Sequence, residues 1–319
     1  MSHYLRDLLY TAMAALEKWT NGLTQAILCT KKQARWHSPH KTILFGGDMA
    51  GVALNAVPET MLWTLHNRAR ESMRPDAFFH DPHAERIYQA IDYPFERHFG
   101  APDSSHAARA LAFDEVMGAW LAQHPCGWVV ELGSGLETQC LRLDNGQVNW
   151  LSVDLPQSMA FREQFLTPTK RLRHFSGDAR ETTWMEDIPF NAPLFVSAQG
   201  MMMYFTEDEV RSLLRAIAAR FPNAQCMFDT VPAWTVAATQ SPGGLWKTGH
   251  YRIPAMHWGV SANHLPFLLR QWLGTSIQVH WLPYPHYRAL PAWYFSWIKA
   301  WPWAHDLMPG MVHVVLNPA

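Results

Sequence analysis

VVELGSGLET, residues 129–138, decides the fold of this 319-residue chain. A short apolar run stops at Gly133-Ser134-Gly135 and a helical stretch follows, the pattern of a buried parallel strand turning into a helix. Glycine at 133 and 135 lets backbone N–H groups approach a ligand with no Cβ in the way. The dinucleotide fingerprint needs a third glycine at 138, and threonine stands there. Alone, the segment also fits an ordinary strand-to-helix turn.

The neighbouring sequence extends the pattern. GWVVELG (127–133), VNWLSVDLP (148–156), APLFVSAQG (192–200) and AQCMFDT (224–230) are four short apolar runs, with a further strand expected near 171–175. Helical stretches fill the gaps, most clearly TEDEVRSLLRAIAARF (206–221), where Thr206 and Glu209 read as a capping box. This alternation predicts βαβ units and a parallel sheet over about residues 127–230. Asp154 closes the second strand, 21 residues after Gly133, and Asp178 follows the third. Open α/β sheets bind ligands at these strand ends. A carboxylate at Asp154 can accept from both ribose hydroxyls and one at Asp178 can reach an adenine amino group, although either also fits a helix cap or a loop acid.

Upstream, an apolar stripe predicts a helix over 4–28, residues 30–50 read as loop, and a helix starts near Pro58-Glu59 and stops at Pro75. Asp81-Pro82 opens the next helix, and Ser104-Ser105 caps another that runs toward Pro125. Downstream, a helix is expected near 260–272, and SIQVHWL (276–282) and MVHVVL (311–316) read as a hairpin-like strand pair at the sheet edge.

Composition excludes several classes. Lys and Arg total 26 against 27 Asp and Glu, so no net field attracts nucleic acid or an anionic membrane. The four cysteines, Cys29, Cys126, Cys140 and Cys226, form no CxxC pair, which argues against zinc and a disulfide framework and suits a reducing compartment. No signal-peptide pattern opens the chain, and no window holds about 18 consecutive apolar residues. These features predict a cytoplasmic protein with no nucleic-acid partner and no membrane insertion, with a homodimer left open. His37-x-x-His40 and His80-x-x-His83 lack a third ligand, so no metal is expected. Nine of the 16 tryptophans lie at or after Trp234, which suits core packing or an aromatic pocket better than a membrane surface.

Taken together, the residues resemble a known family. PETMLWTLHNRARESMRPDAFFHDPHAERI (58–87), AARALAFDEVMGAWL (107–121), VVELGSGLETQCLRL (129–143), SVDLP (152–156), GDARETTW (177–184) and AQGMMMYFTEDEV (198–210) carry the resemblance. The chain is similar to class I S-adenosylmethionine-dependent methyltransferases of the leucine carboxyl methyltransferase family. Within it, the likeness is to the bacterial branch related to a polyketide O-methyltransferase. The resemblance covers about residues 52–319. It implies a Rossmann-like α/β fold: a seven-stranded, mostly parallel sheet with helices on both faces, extra N-terminal helices and a lid. The corresponding division is an N-terminal helical extension (1–50) and a methyltransferase domain (51–319). That domain divides into a helical cap (51–126), a cofactor-binding sheet core (127–230) and a lid with edge strands (231–319).

The resemblance also implies roles. S-adenosylmethionine would be the cofactor and S-adenosylhomocysteine its product. Arg109 would pair with the methionine carboxylate. Gly133 and Gly135, with Glu131 ahead of them, would pass the methionine part. Asp154 and Leu155 would meet the ribose, and Asp178 with the Ala179 backbone the adenine. Gln199-Gly200 stands where many relatives carry Glu-Gly near the methionine amino group; Gln keeps an acceptor oxygen but loses the charge. Glu137 stands where Asp is common. Arg68 matches an arginine near the site mouth.

The implied reaction is methylation of a carboxylate or acidic hydroxyl on a small molecule, a secondary metabolite. A protein C-terminal carboxyl methyltransferase and a non-catalytic S-adenosylmethionine-binding protein are the alternatives. A nicotinamide oxidoreductase is disfavoured by the missing third glycine. On the acceptor side, Met203 and Tyr204 follow the fourth strand, and His250, Tyr251, Arg252, His257 and Trp258 lie in the lid. Tyr204 would orient the acceptor, His250 or His257 would be its base, Arg252 would pair an acidic group, and Trp258 would form a wall. A carboxylate needs no base, whereas a phenol does.

Overall fold

The computed structural model describes residues 56–288, Ser296 and 300–317. The helix expected over 4–28 and the loop over 30–50 lie outside the described residues.

Four helices precede the sheet: α1 (Ala56–Ser72), α2 (Pro82–Ala90), α3 (Phe95–Phe99) and α4 (Ser105–Gln123). α1 ends ahead of Pro75, whose ring cannot continue a helix. α2 begins as expected: Asp81 Oδ1 accepts from Ala84 N at 2.9 Å, and Pro82 takes the first turn. α4 departs from expectation. Ser104 sits at φ +57°, and its hydroxyl makes no cap. The Ser104 hydroxyl instead accepts from Arg288 N at 3.0 Å, and Asp103 Oδ1 caps the helix by accepting from Ser105 N at 3.0 Å.

Seven strands then build one sheet: β1 (Trp128–Leu132), β2 (Asn149–Asp154), β3 (Leu172–Ser176), β4 (Leu194–Ala198), β5 (Gln225–Thr230), β6 (Gln278–Pro283) and β7 (Gly310–Val315). Between them lie α5 (Gln139–Arg142), α6 (Pro156–Arg162), α7 (Glu207–Arg220), α8 (Ala233–Gln240) and α9 (Leu265–Leu273). The strand order is β3-β2-β1-β4-β5-β7-β6, and β7 runs antiparallel to both its neighbours. The last two strands therefore pair antiparallel at one edge of the sheet, as expected. β7 returns through the long 284–309 connection and inserts between β5 and β6.

The strands read as continuous apolar runs because both faces are covered. Val130, Leu132, Leu151, Val153, Val196 and Phe228 pack on one face against Leu213, Leu214 and Ile217 of α7 and Leu265, Leu269 and Trp272 of α9. Val129, Trp150, Phe195 and Met227 point the other way, against Phe113, Met117, Trp120 and Leu121 of α4. The α7 capping box is complete: Thr206 Oγ1 accepts from Glu209 N at 3.3 Å, and Glu209 Oε2 accepts from Thr206 N at 2.8 Å. This packing sets the carboxyl ends of β1, β2, β4 and β5 side by side, with α1 and the start of α4 beside them. Among the described residues no helix is long and apolar enough to cross a membrane.

Candidate active site

The loop after β1 is a tight cradle. Gly133 (φ +66°) and Gly135 (φ +44°) both adopt backbone that disfavours a side chain. A Cβ on Gly135 would lie 2.9 Å from Met61 Cβ. Asp154, at the tip of β2, holds the loop: Oδ2 accepts from Gly135 N at 2.6 Å and Oδ1 from Leu155 N at 2.7 Å. Burial raises the Asp154 pKa, and those two N–H groups oppose the rise. Leu155 beside it is 39% exposed, a large apolar side chain left uncovered next to the acid.

Arg162 of α6 supports the cradle from beneath, donating to Gly135 O at 3.0 Å and Glu137 O at 2.6 Å. Glu131 joins this support through one of its oxygens. It is buried, with Oε2 accepting from Ser152 Oγ at 3.2 Å and lying 3.8 Å from Arg162. Burial pushes its pKa up to about 7. Its other oxygen, Oε1, is buried with no partner among the described residues.

The expected place of Arg68 is corrected. It is 1% exposed and turned inward, away from the site mouth. It donates to Glu137 Oε1 at 2.6 Å and Leu136 O at 2.8 Å and approaches Asp81 Oδ2 at 3.3 Å. Arg142 meets the same two acids at 2.8 and 2.7 Å and adds Asp114 at 2.7 Å. Burial alone would raise Glu137, but Arg68 and Arg142 outweigh it and hold the carboxyl at about 2. The network clamps α1 and α2 to the cradle.

Beyond β4, Gly200 (φ +70°) gives its N–H to Asp229 Oδ1 at 2.6 Å. Asp229 Oδ2 accepts from Arg109 Nη1 at 2.8 Å. A Cβ on Gly200 would sit 3.0 Å from Arg109 Nη1, so glycine is what lets the guanidinium approach this turn. Arg109 Nε is buried with no partner among the described residues, and so is Gln199 Oε1. Gln199 Nε2 donates to Gln139 Oε1 at 3.3 Å, and Gln139 is fixed in turn by donating to Asp114 Oδ1 at 2.7 Å. An unused donor and an unused acceptor therefore meet around one glycine turn. Asp229 was not singled out from the sequence; the signal was an acid ending an otherwise apolar strand, AQCMFDT.

Asp178 caps the 3-10 turn at Ala179–Glu181, accepting from Arg180 N at 2.9 Å. The Arg180 side chain also grips it, with Nε at 2.9 Å, and lowers its pKa. Ala179 is buried and its carbonyl accepts from Trp184 Nε1 at 2.9 Å.

The acceptor-side residues divide. Met203 is buried, and its carbonyl accepts from His257 N at 2.7 Å and Trp258 N at 3.2 Å. Trp258 is 2% exposed, between Phe228 and Trp272 at 6.1 and 6.3 Å, so it is a core residue and forms no substrate wall. His250 and His257 are exposed, His250 beside His98 at 6.3 Å and His257 near the Gln240 amide at 3.4 Å. Neither is held as a base. Arg252 is exposed and folded over Gly244 of its own loop. Tyr204 remains beside the site, and burial and then Asp229 raise its hydroxyl pKa. The sequence reading missed a cluster on α1 and α4: Trp63 lies edge-on to His106 at 5.1 Å and to Tyr251 at 5.9 Å. Glu59, Trp63 and Asn67, four residues apart along α1, were its signal. Among the described residues no cluster of three metal-ligating side chains occurs.

A parallel sheet with an inserted antiparallel β7, a two-glycine cradle and an acid at the tip of β2 defines a class I S-adenosylmethionine-dependent methyltransferase. The residues fit that cofactor: the orphaned Arg109 Nε and Gln199 Oε1 suit a zwitterionic amino acid end, and uncovered Leu155 beside Asp154 suits a nucleoside. Comparison with known proteins agrees. The family model for leucine carboxyl methyltransferase matches residues 61–218. The chain is 30% identical over 212 residues to the tetracenomycin polyketide synthesis O-methyltransferase TcmP of Streptomyces glaucescens, covering 66% of this chain and 77% of that protein. It is 28% identical over 205 residues to an S-adenosyl-L-methionine-dependent methyltransferase, dpfgK, of Gibberella zeae, covering 57% and 68%. The chain belongs to the leucine carboxyl methyltransferase family.

Proposed function

We propose that this chain transfers a methyl group from S-adenosylmethionine to an oxygen, a carboxylate or acidic hydroxyl, on a small secondary metabolite. The observation that carries the cofactor side is the orphaned pair at the Gly200 turn, Arg109 Nε and Gln199 Oε1, facing the cradle closed by Asp154. The naming of a relative as a polyketide O-methyltransferase supports the acceptor class.

The cofactor supplies an electrophilic methyl group on a sulfonium; this chain's residues supply position. Arg109, anchored by Asp229, receives the carboxylate of the amino acid end. Gln199 Oε1 accepts from its ammonium. Asp154 receives the ribose hydroxyls, and Asp178 and the Ala179 backbone meet the adenine. Tyr204 lies on the acceptor side. Bringing two reactants into line at about 3 Å accounts for most of the acceleration in a displacement of this kind. A site closed to water would favour a step in which charge is neutralised.

Calorimetric titration of the purified chain with S-adenosylmethionine and S-adenosylhomocysteine tests this, with NADH as control and Asp154→Ala beside the wild type. Binding of both sulfur ligands at micromolar concentration, lost in the variant, is expected. Absence of both from a folded sample would overturn the proposal. A panel of small carboxylic acids and phenols then reads the acceptor by transfer of labelled methyl.

A further inference from the structure

We propose that His106 is the residue that orients the methyl acceptor, its ring Nε2–H donating to an acceptor oxygen that arrives already ionised. This rests on the methyltransferase reading above and names the group that meets the substrate.

The side-chain chemistry around the ring fixes its hydrogen. Asp103 N donates to Asn67 Oδ1 at 3.3 Å, which sets the orientation of the Asn67 amide. The Asn67 amide nitrogen then donates to Asp103 Oδ1 at 2.7 Å and meets His106 Nδ1 at 2.8 Å. An amide N–H pointing at Nδ1 makes that nitrogen an acceptor, so the neutral ring carries its hydrogen on Nε2. Nε2 takes part in no hydrogen bond among the described residues, and the ring is only partly covered, so a ligand can reach it. Lys247 holds the far side of Asp103, Nζ to Oδ2 at 2.9 Å, and also lies 5.2 Å from the centre of the Trp63 ring. A polar chain therefore runs from the 241–258 segment through Lys247, Asp103 and Asn67 to His106.

His106 and Arg109 are three residues apart on α4 and share a face, and Arg109 lies against the Gly200 turn. The surroundings are aromatic and hold a second unused donor. Tyr251, also edge-on to Trp63, is 2% exposed, and its hydroxyl is buried with no partner among the described residues. Phe99 closes the other side of Tyr251 at 4.8 Å. Two donors, Nε2–H and the Tyr251 hydroxyl, beside aromatic rings suit an anionic oxygen on a flat molecule.

The charged groups facing His106 are Asp103 just ahead of α4, Arg109 of α4, Lys247 of the 241–258 segment, and Arg68 of α1. Burial first, then Arg109, lower its pKa to about 3, against the pull of Asp103. A ring that stays neutral and already carries its Nε2 hydrogen is a donor and no base. Methyl transfer then balances without it: the oxygen's lone pair forms the O–C bond, the pair of the breaking S–C bond leaves with sulfur, and no proton moves.

The test uses the full chain saturated with S-adenosylhomocysteine. Imidazole 15N spectra should show His106 as the Nε2–H form between about pH 5 and 8, a preference that Asn67→Leu abolishes. By calorimetry, wild type should bind naphthoate, a flat carboxylate, in preference to neutral naphthol. His106→Phe should weaken naphthoate by about ten- to a hundredfold, the ratio that a hydrogen bond to a charged group is worth. His106→Gln, which keeps an N–H near the Nε2 position, should stay within about threefold. Unchanged naphthoate binding in His106→Phe would overturn the proposal. So would equal loss in both variants, a ring hydrogen on Nδ1, or a wild type that ignores naphthoate. Loss of S-adenosylhomocysteine binding in wild type would instead bring down the methyltransferase reading itself, and this inference with it.

Discussion

Arg109 Nη1 lies 2.8 Å from Asp229 Oδ2, a contact that joins the last helix before the sheet to the end of its fifth strand. Asp229 spends its other oxygen on Gly200 N at 2.6 Å, and the Tyr284 hydroxyl approaches Oδ2 at 3.3 Å. Burial alone would lower the Arg109 pKa, but Asp229 and Tyr284 outweigh it and raise it. One carboxylate thus fixes both the guanidinium and the glycine turn beside it.

Asp229→Ala should therefore do double damage. Removing one partner of a buried pair leaves an uncompensated charge, worth about 3–5 kcal/mol. Urea unfolding should show a loss in that range, and S-adenosylhomocysteine affinity should fall in whatever protein remains folded. Asp229→Asn keeps an acceptor for Gly200 N and should lose less stability. Equal stability of Asp229→Ala and wild type would show that the pair holds nothing.

Gly135→Ala should abolish cofactor binding. Left-handed backbone costs an alanine about 1–2 kcal/mol, and its Cβ would meet Met61 Cβ at 2.9 Å, which requires α1 to shift. Gly146, also at positive φ, has nothing within 4 Å of its Cβ position. Gly146→Ala should thus show the backbone penalty alone, with S-adenosylhomocysteine affinity unchanged. Thermal melts and titrations of the two variants separate backbone strain from collision.

The features legible in the sequence are those whose partners are close along the chain. The Thr206–Glu209 box, the Asp81–Pro82 start of α2 and the apolar β1, β2, β4 and β5 runs each depend on a few consecutive residues. The features that escaped depend on distant partners. Trp258 reads as a pocket wall until Phe228 and Trp272 are folded around it. Arg68 reads as a mouth residue until Glu137 and Asp81 enclose it. Ser104 is an ideal cap by residue type, but Arg288 claims its hydroxyl and Asp103 replaces it. Asp229 and Asn67 carry only weak local signals, an acid ending an apolar run and a step of four along α1, and the packing of α1 and α4 against the strand ends is what brings them and His106 together.

Glu131 should make stability fall as pH rises. Its carboxyl ionises near 4.5 when unfolded but at about 7 when folded, because it is buried. Below the lower value both states are protonated and no penalty applies; between the two, the unfolded chain gives up the proton first. Native stability is therefore lost as pH rises through that window and levels off above it. Glu131→Gln removes the titration, so the stability of wild type relative to the variant should drop by roughly 2 kcal/mol between about pH 5 and 8. Chemical denaturation at the two pH values measures it. A constant difference would mean that Arg162, 3.8 Å away, keeps the carboxylate charged throughout.

Gln199→Glu sets two effects against each other. A carboxylate would give the cofactor's ammonium a charge-assisted hydrogen bond, about twice as strong as the neutral one. The same change removes the Gln199 amide that donates to Gln139 Oε1, but that bond is long, at 3.3 Å, and Gln139 stays anchored to Asp114 at 2.7 Å. The Gln139 amide can turn its nitrogen toward the new carboxylate only by releasing Asp114, whose pKa burial already raises. The lost contact is thus weak and the gained one strong, so the variant should bind S-adenosylmethionine and S-adenosylhomocysteine about three- to tenfold more tightly. Tightening should be confined to ligands that carry the amino group and should vanish for 5′-methylthioadenosine, which lacks it. Weaker binding of all three would mean that the Gln139–Asp114 arrangement collapses, and that Gln199 serves this network before it serves the cofactor.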